Sequence, residues 1–247
     1  MVFLLVMIGG MGVEGYGQTW QIGFNFSPDY CNAHNVNTNA SQYPSVTVYK
    51  WPSEEIPEFG FTMGINLNHK LEEHFYFGAG VQYSNKTYKE KEWGLMYATY
   101  PGKGLYWSWS YQRTLSYYVF DFPLWLNFIT GNKGLQLILG AGLTFNYCAE
   151  GTVYYNYKDL VGNPNFLNPS QGIAYFGNTQ SSFNLSPTIS LGLIYYLNDK
   201  INLRIEPTYR YGLRDINDAS NLNSNYTEYY KTYIWNFGIN CSRYFDL

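Results

Sequence analysis

The chain is 247 residues long, 20% aromatic and only 13% charged, with a net charge of −3 and no block of basic residues. A soluble domain carries about a quarter charged residues, so something other than water covers part of this surface, and the scattered charges exclude a nucleic-acid partner. Mean hydropathy is −0.29, and no apolar run of the length of a membrane helix lies beyond the N-terminus, which excludes a helical bundle in the bilayer.

Chain order begins with a targeting signal. Val2 to Val13 is an apolar stretch of h-region length, and Gly15-Tyr16-Gly17 sets small residues at the −3 and −1 positions of a signal peptidase site. The sequence predicts a signal peptide over 1–17 and one domain over 18–247, starting at Gln18.

Beyond the signal the chain repeats a period-two alternation. Eight segments carry it, near 19–27, 58–68, 74–88, 113–128, 134–148, 182–197, 200–214 and 231–245. In 135–147, for example, Leu135, Leu137, Leu139, Ala141, Leu143, Phe145 and Tyr147 alternate with Gln136, Ile138, Gly140, Gly142, Thr144 and Asn146. Each segment is long enough to cross a bilayer, since about 9–11 tilted residues suffice, whereas strands of a soluble sandwich average about five or six. The connections run long (28–57), short (69–73), long (89–112), short (129–133), long (149–181), short (198–199), long (215–230). Tight turns on one side and long loops on the other are the habit of outer-membrane barrels, and would put both termini in the periplasm. The predicted fold is all-β: a transmembrane, antiparallel, up-and-down barrel of eight strands. If hairpins at 93–112 and from 152 onward entered the bilayer, the count would be ten.

Charges concentrate on one face of these segments. By parity Lys86, Arg113, Asp121, Arg204, Glu206, Arg210 and Arg214 point inward. At mid-depth in lipid each Arg or Lys would cost about 2–4 kcal/mol, and an eight-stranded interior is just wide enough for its own side chains. The expectation is a structural ion-pair and hydrogen-bond network that fills the lumen, with Asp121 as the extra acid for the arginines of 200–214. Four arginines and one lysine then outnumber two acids. Aromatics near segment ends (Trp20, Phe26, Tyr83, Tyr88, Tyr118, Phe128, Tyr147, Tyr195, Tyr211, Trp235) are expected at the membrane–water boundaries.

Chemical motifs fail. His34 is expected in the first long loop, and His69 and His74 flank a short turn, with no Ser/His/acid arrangement at a common strand end. Cys31, Cys148 and Cys241 form no C-x-x-C pair. The first two fall near the loop end, where an oxidising location would permit a bond if the loops fold inward, but their strands lie on opposite sides of the ring, so two unpaired thiols are expected, while Cys241 points to lipid. The sequence thus calls for no enzyme, no cofactor and no metal.

The strand Tyr118-Val119-Phe120-Asp121-Phe122-Pro123-Leu124-Trp125-Leu126-Asn127-Phe128, the Gly140-Ala141-Gly142 strand and the charged stretch Ile205–Ile216 resemble the PorT-like outer-membrane β-barrel family of Bacteroidetes. Trp125 and Asn127 stand where that family's strand usually continues with Leu and Lys. The resemblance implies an outer-membrane barrel and, through the family's link to type IX secretion, an accessory role in an outer-membrane or secretion assembly. It also implies outer-membrane lipid and other outer-membrane or periplasmic proteins as partners. A small channel or ligand-carrying barrel is the alternative, and a barrel enzyme acting on lipid a remote one.

Overall fold

The alternating segments pair edge to edge until no edge is left. The computed structural model describes residues 20–37, 55–91, 93–97, 107–132, 134–159, 172–175, 183–198, 201–214 and 230–246, so the predicted signal peptide over 1–17 lies outside the described residues. The strands are β1 (Trp20–Asn37), β2 (Ile56–Lys70), β3 (Phe75–Lys89), β4 (Trp93–Tyr97), β5 (Trp107–Asn132), β6 (Leu135–Asp159), β7 (Gly172–Tyr175), β8 (Phe183–Asn198), β9 (Ile201–Tyr211) and β10 (Tyr230–Asp246). Around the ring the order is β5-β3-β2-β1-β10-β9-β8-β6, closed by the β5–β6 ladder, and every pair is antiparallel. This is an eight-stranded closed barrel. The short strands β4 and β7 pair only with the loop-side extensions of β5 and β6 and add no stave to the ring.

Strands run further than the alternation suggested. β1 continues to Asn37 instead of stopping at 27, and β5 and β6 reach back to Trp107 and out to Asp159, so parts of the expected loops 28–57, 89–112 and 149–181 are strand. Pro28 stands where β1 runs on past the predicted segment. Proline has no N–H to give the ladder, yet in a closed barrel the neighbour can skip one step. The β1–β10 ladder breaks between Phe26↔Cys241 and Asp29↔Gly238. The β3–β5 ladder breaks between Ala79↔Leu124 and Gln82↔Asp121, beside Pro123. The β8–β9 ladder breaks between Ser190↔Thr208 and Leu193↔Ile205, beside Pro207.

Parity sorts the two faces. Phe26, Ile65, Val81, Phe122, Leu139, Leu191, Ile205 and Ile239, one from each barrel strand, project outward and are exposed. Asn25, Asn66, Gln82, Asp121, Asn146, Ser186, Arg204 and Asn236 project inward and are buried. A polar interior inside an apolar exterior is the inverse of a soluble fold, and hydrocarbon is the medium that stabilises it. Two aromatic rows bound the exterior. On the turn side Trp20 stacks on His69 (4.2 Å) and Phe75 meets Phe128 (5.3 Å). On the loop side Tyr30–Phe59, Tyr83–Tyr118, Tyr147–Phe183, Tyr209–Trp235 and Tyr211–Tyr233 lie 5.2–6.3 Å apart. About ten residues separate the rows, the length a tilted strand needs to cross a bilayer. One expected boundary aromatic is misplaced: Tyr88 is buried inside the barrel against Tyr117. One charge escapes the rule as well. Arg243 faces outward near the turn end, its guanidinium 4.9 Å from the Phe245 ring, at a depth where a long side chain reaches the headgroups.

Depth-dependence gives the test. Ile205→Arg, in the middle of the apolar belt, should lower stability in liposomes by about 2–4 kcal/mol, whereas Leu213→Arg, beyond the loop-side aromatic row, should cost about 0–1 kcal/mol. Denaturant midpoints after refolding into vesicles measure both, and equal losses would show that this face does not meet lipid.

Candidate functional site

Inward residues stack in layers, and the layer beneath the loop-side aromatic row is the most constrained. Each of its members sits next to an outward aromatic or apolar residue at the same height. Two carboxylates organise it. Asp29 on β1, fully buried, accepts hydrogen bonds from Ser27 Oγ (2.6 Å), Thr62 Oγ1 (2.5 Å) and Asn236 Nδ2 (3.1 Å), and Arg210 Nη1 lies 3.7 Å from it. Asp121 on β5, also fully buried, accepts from Ser84 Oγ (2.5 Å) and Asn146 Nδ2 (2.5 Å) and pairs with Lys86 Nζ (3.2 Å). Thr62 and Ser84 bring their hydroxyl oxygens to 2.8 Å, so the two centres come into contact, and Ser186 extends the second one by donating to Asn146 Oδ1 (2.6 Å). All eight barrel strands contribute a side chain to this belt. Glycines let the ladder close around these bulky groups. A Cβ on Gly238, the β10 partner of Asp29, would overlap Asp29 Oδ1, and one on Gly23 would sit 2.5 Å from the Tyr244 ring.

Below the belt, towards the short turns, the lumen is built from amides. Arg204 donates from Nε to Asn202 Oδ1 (3.0 Å) and from Nη2 to Gln21 Oε1, and its guanidinium lies 3.9 Å over the Tyr244 ring. Gln82 bonds Asn66 (3.0 Å), and Trp125 Nε1 bonds Asn68 (3.0 Å). Glu206 accepts from Ser190 Oγ at 3.4 Å. Apolar layers lie beyond on both sides. Ala33, Tyr88, Leu115, Tyr117, Val119, Val153 and Ile234 form one towards the loops, and Tyr76, Ile129, Ile138 and Ile194 form the other at the turn end. Ile138, on the same face as Gln136, Thr144 and Asn146, belongs to that apolar layer. Two cavities of about 30 Å³ flank the belt, one lined by Lys86, Asn146 and Asn236, the other by Gln82, Glu206 and Arg210.

The seven charged residues singled out by parity are distributed unevenly. Lys86, Asp121, Arg204, Glu206 and Arg210 are buried in the lumen. Arg113 sits at the loop-side rim in a bidentate pair with Glu90 (Nη2 to Oε1, 2.8 Å). Arg214 is exposed and bonds the carbonyl of Phe183. Asp121 pairs with Lys86 rather than with the arginines of β9, and two staves, β6 and β8, stand between β5 and β9. The buried acid beside Arg210 is Asp29, which lies in the stretch 28–57 expected to be a loop, while Arg204 bonds Asn202 and Gln21. Among the described residues the buried lumen therefore holds three cations (Lys86, Arg204, Arg210) and three acids (Asp29, Asp121, Glu206), and the excess of positive charge expected from the sequence disappears. Cys31 and Cys148 are free thiols at the loop end, Cys241 is exposed on the outer face, and His34 lies in β1 rather than in a loop. Among the described residues no cluster of side chains could hold a metal ion.

At the rim, above the membrane-spanning part, Glu55 packs beside Glu90 and Arg113. Burial, then the Glu90 charge, pushes its carboxyl from 4.5 up to about 8, against the pull of Arg113.

Comparison with known proteins adds shape and no activity. No family model matches the chain and no curated protein matches it, so the PorT-like resemblance rests on its strand motifs alone. Among solved structures, the chain is similar to Neisserial surface protein A (12% identity, 92% of this chain and 97% of that one, TM-score 0.40). It is similar to the outer membrane protein OprG of Pseudomonas aeruginosa (12%, 93% and 96%, TM-score 0.40). A third similar structure is the outer membrane protease OmpT of Escherichia coli (10%, 93% and 96%, TM-score 0.39). All three are outer-membrane proteins, and likeness at this level carries no inference about what this chain does.

The lumen and its rim each give a test. Asp29→Ala strands Arg210 in a buried site and should cost about 3–5 kcal/mol. The double variant Asp29→Ala/Arg210→Ala should cost less than the two single losses added together, as a double-mutant cycle of unfolding midpoints in micelles would show. For Glu55, the unfolded side chain ionises near 4.5 while the folded one stays protonated to about 8. The folded state thus binds more protons across that window, so stability falls as pH rises from about 4.5 to 8 and levels off above it. Thermal midpoints should show that slope, and Glu55→Gln should flatten it.

Proposed function

We propose that this chain is an outer-membrane barrel with a closed lumen whose working surface is its loop end. It would be exported by a signal peptide over 1–17, lie with both termini in the periplasm, and act as an accessory component of an outer-membrane or secretion assembly. PorT-like strand motifs make a type IX-like secretion machine the first candidate for that assembly.

The observation that carries this reading is the length of one hairpin. The β5–β6 ladder continues from the aromatic row at Tyr118 and Tyr147 out to Trp109↔Asp159, flanked by β4 and β7. At about 3.3 Å per residue that extension is roughly 30 Å along the strands, as long again as the part that crosses the bilayer. A barrel needs no such extension for its own stability. Its sequence and the adjoining connections are rich in Tyr, Ser, Asn and Gly, with Trp93, Trp107 and Trp109, a composition suited to holding a protein partner with rigid aromatic and adaptable polar contacts. The filled and layered lumen, by contrast, favours a plug over a conduit, and binding over catalysis.

The test separates surface from pore. Replacing residues 98–106 and 160–171 by short glycine–serine turns should leave a folded barrel, seen as heat-modifiable gel migration. The proteins cross-linked to it in cells should then be lost, while the intact protein gives no stepwise conductance in planar bilayers. Unchanged cross-linking partners would remove the docking role, and reproducible channel steps would make the small channel the better account.

A further inference from the structure

We propose that the cavity on the turn side of the charged belt is an internal hydration site. It would hold ordered water that bridges Arg210, Gln82 and Asn240 and links β3, β9 and β10 inside the barrel. Three observations lead there. First, the cavity is lined by buried polar groups: Gln82 is 2% exposed, Thr208 and Arg210 4% each, and Glu206 7%. Second, among the described residues several atoms of its lining side chains have no hydrogen-bond partner, namely Gln82 Oε1, Arg210 Nε and Nη1 (the latter 3.7 Å from Asp29), and Asn240 Oδ1. Third, the set continues through the ladder, because Ser242 is the cross-strand neighbour of both Arg204 and Asn25, and Ser242 Oγ, Arg204 Nη1 and both Asn25 amide atoms are likewise unmatched. Buried polar atoms in native proteins are nearly always satisfied, so a guest that touches several of them at once belongs here.

Chemistry selects water over an ion. The unmatched set mixes donors (guanidinium and amide N–H) with acceptors (amide oxygens), and water serves both, whereas a halide accepts only. Charge points the same way, since three buried cations already face three buried acids and an added ion would be uncompensated in a low-dielectric interior. Size agrees: about 30 Å³ admits water and nothing as large as a sugar or a nucleotide. The apolar layer of Ile129, Ile138 and Ile194 at one end and that of Tyr117 and Val119 at the other would keep this water from exchanging freely. That last point alone rests on the closed-lumen reading.

Radiolytic hydroxyl labelling of the full-length protein in liposomes tests it, because the radical forms from water in place and marks the nearest side chains. Tyr244 and Trp125, which line the cavity, should be oxidised although Tyr244 is only 2% exposed, while Tyr117, buried in the apolar layer at 1%, should stay unmarked. Thr208→Leu, which fills the cavity, should reduce the Tyr244 mark several-fold in protein that still shows heat-modifiable migration. Should that variant fail to fold, the wild-type pattern alone decides. An unmarked Tyr244 and Trp125 in the wild type overturns the proposal, and so does a mark that fades as chloride is added, since an anion would then own the site. Mixing with heavy-oxygen water before the pulse distinguishes the two readings. Heavy label entering slowly supports both the site and the seal. Heavy label present at the earliest time supports the site and removes the closed lumen.

Discussion

The structure depends on a pair of buried carboxylates that eight strands must converge to satisfy. Asp29 and Asp121 sit on staves separated by β2 and β3, and Thr62 and Ser84 span that gap with hydroxyls 2.8 Å apart. Neither acid is tolerable in a low-dielectric lumen without its cation and its hydrogen-bond donors, and those donors come from β1, β2, β3, β6 and β10. Register around the ring is thereby specified from inside. A slip of one residue on any stave would turn a belt member outward into lipid and an aliphatic residue inward. The belt is thus as much a registration device as a plug.

Packing around the belt is dictated by its bulk. An eight-stranded ring cannot widen to accept arginine, tyrosine and tryptophan side chains, so the facing stave gives way. Gly238 lies opposite Asp29 and Gly23 opposite Tyr244. Pro28 and Pro207 on the outer face, and Pro123 on the lumen side, each leave a short gap in one ladder that a closed barrel absorbs because the strand is held on its other edge.

The two ends of the barrel are unlike, and the difference bears on function. At the turn end, compact connections and an isoleucine layer finish the lumen. At the loop end, the wall climbs well past the aromatic row on β5 and β6, charges return as the Arg113–Glu90 and Lys89–Glu58 pairs, and burial pushes the Glu55 carboxyl up to about 8 beside the first of them. A wall that rises beyond the membrane presents surface to whatever lies there, whereas a filled interior presents none.

Much of this was legible in the chain itself. Strict alternation, segment length and the long–short rhythm of connections pointed to a membrane barrel of eight staves, or of ten had the loop hairpins entered the bilayer, because period two separates two faces and segments of this length suit a bilayer rather than a soluble sandwich. Parity alone put Lys86, Asp121, Arg204, Glu206 and Arg210 inside. Distance around the ring was beyond the reach of parity. Asp121 was the visible acid, but two staves separate it from β9, and the acid that meets Arg210 lies in a stretch expected to be loop. Tyr88, Arg113 and Arg214 show the same limit along the barrel axis. Alternation assigns a side and says nothing of height, so one of them entered an apolar layer, one paired at the rim and one reached solvent. Pattern along a strand is local and survives in the sequence. Which side chains meet across a lumen depends on ring closure and stagger, and those exist only once all eight strands have paired.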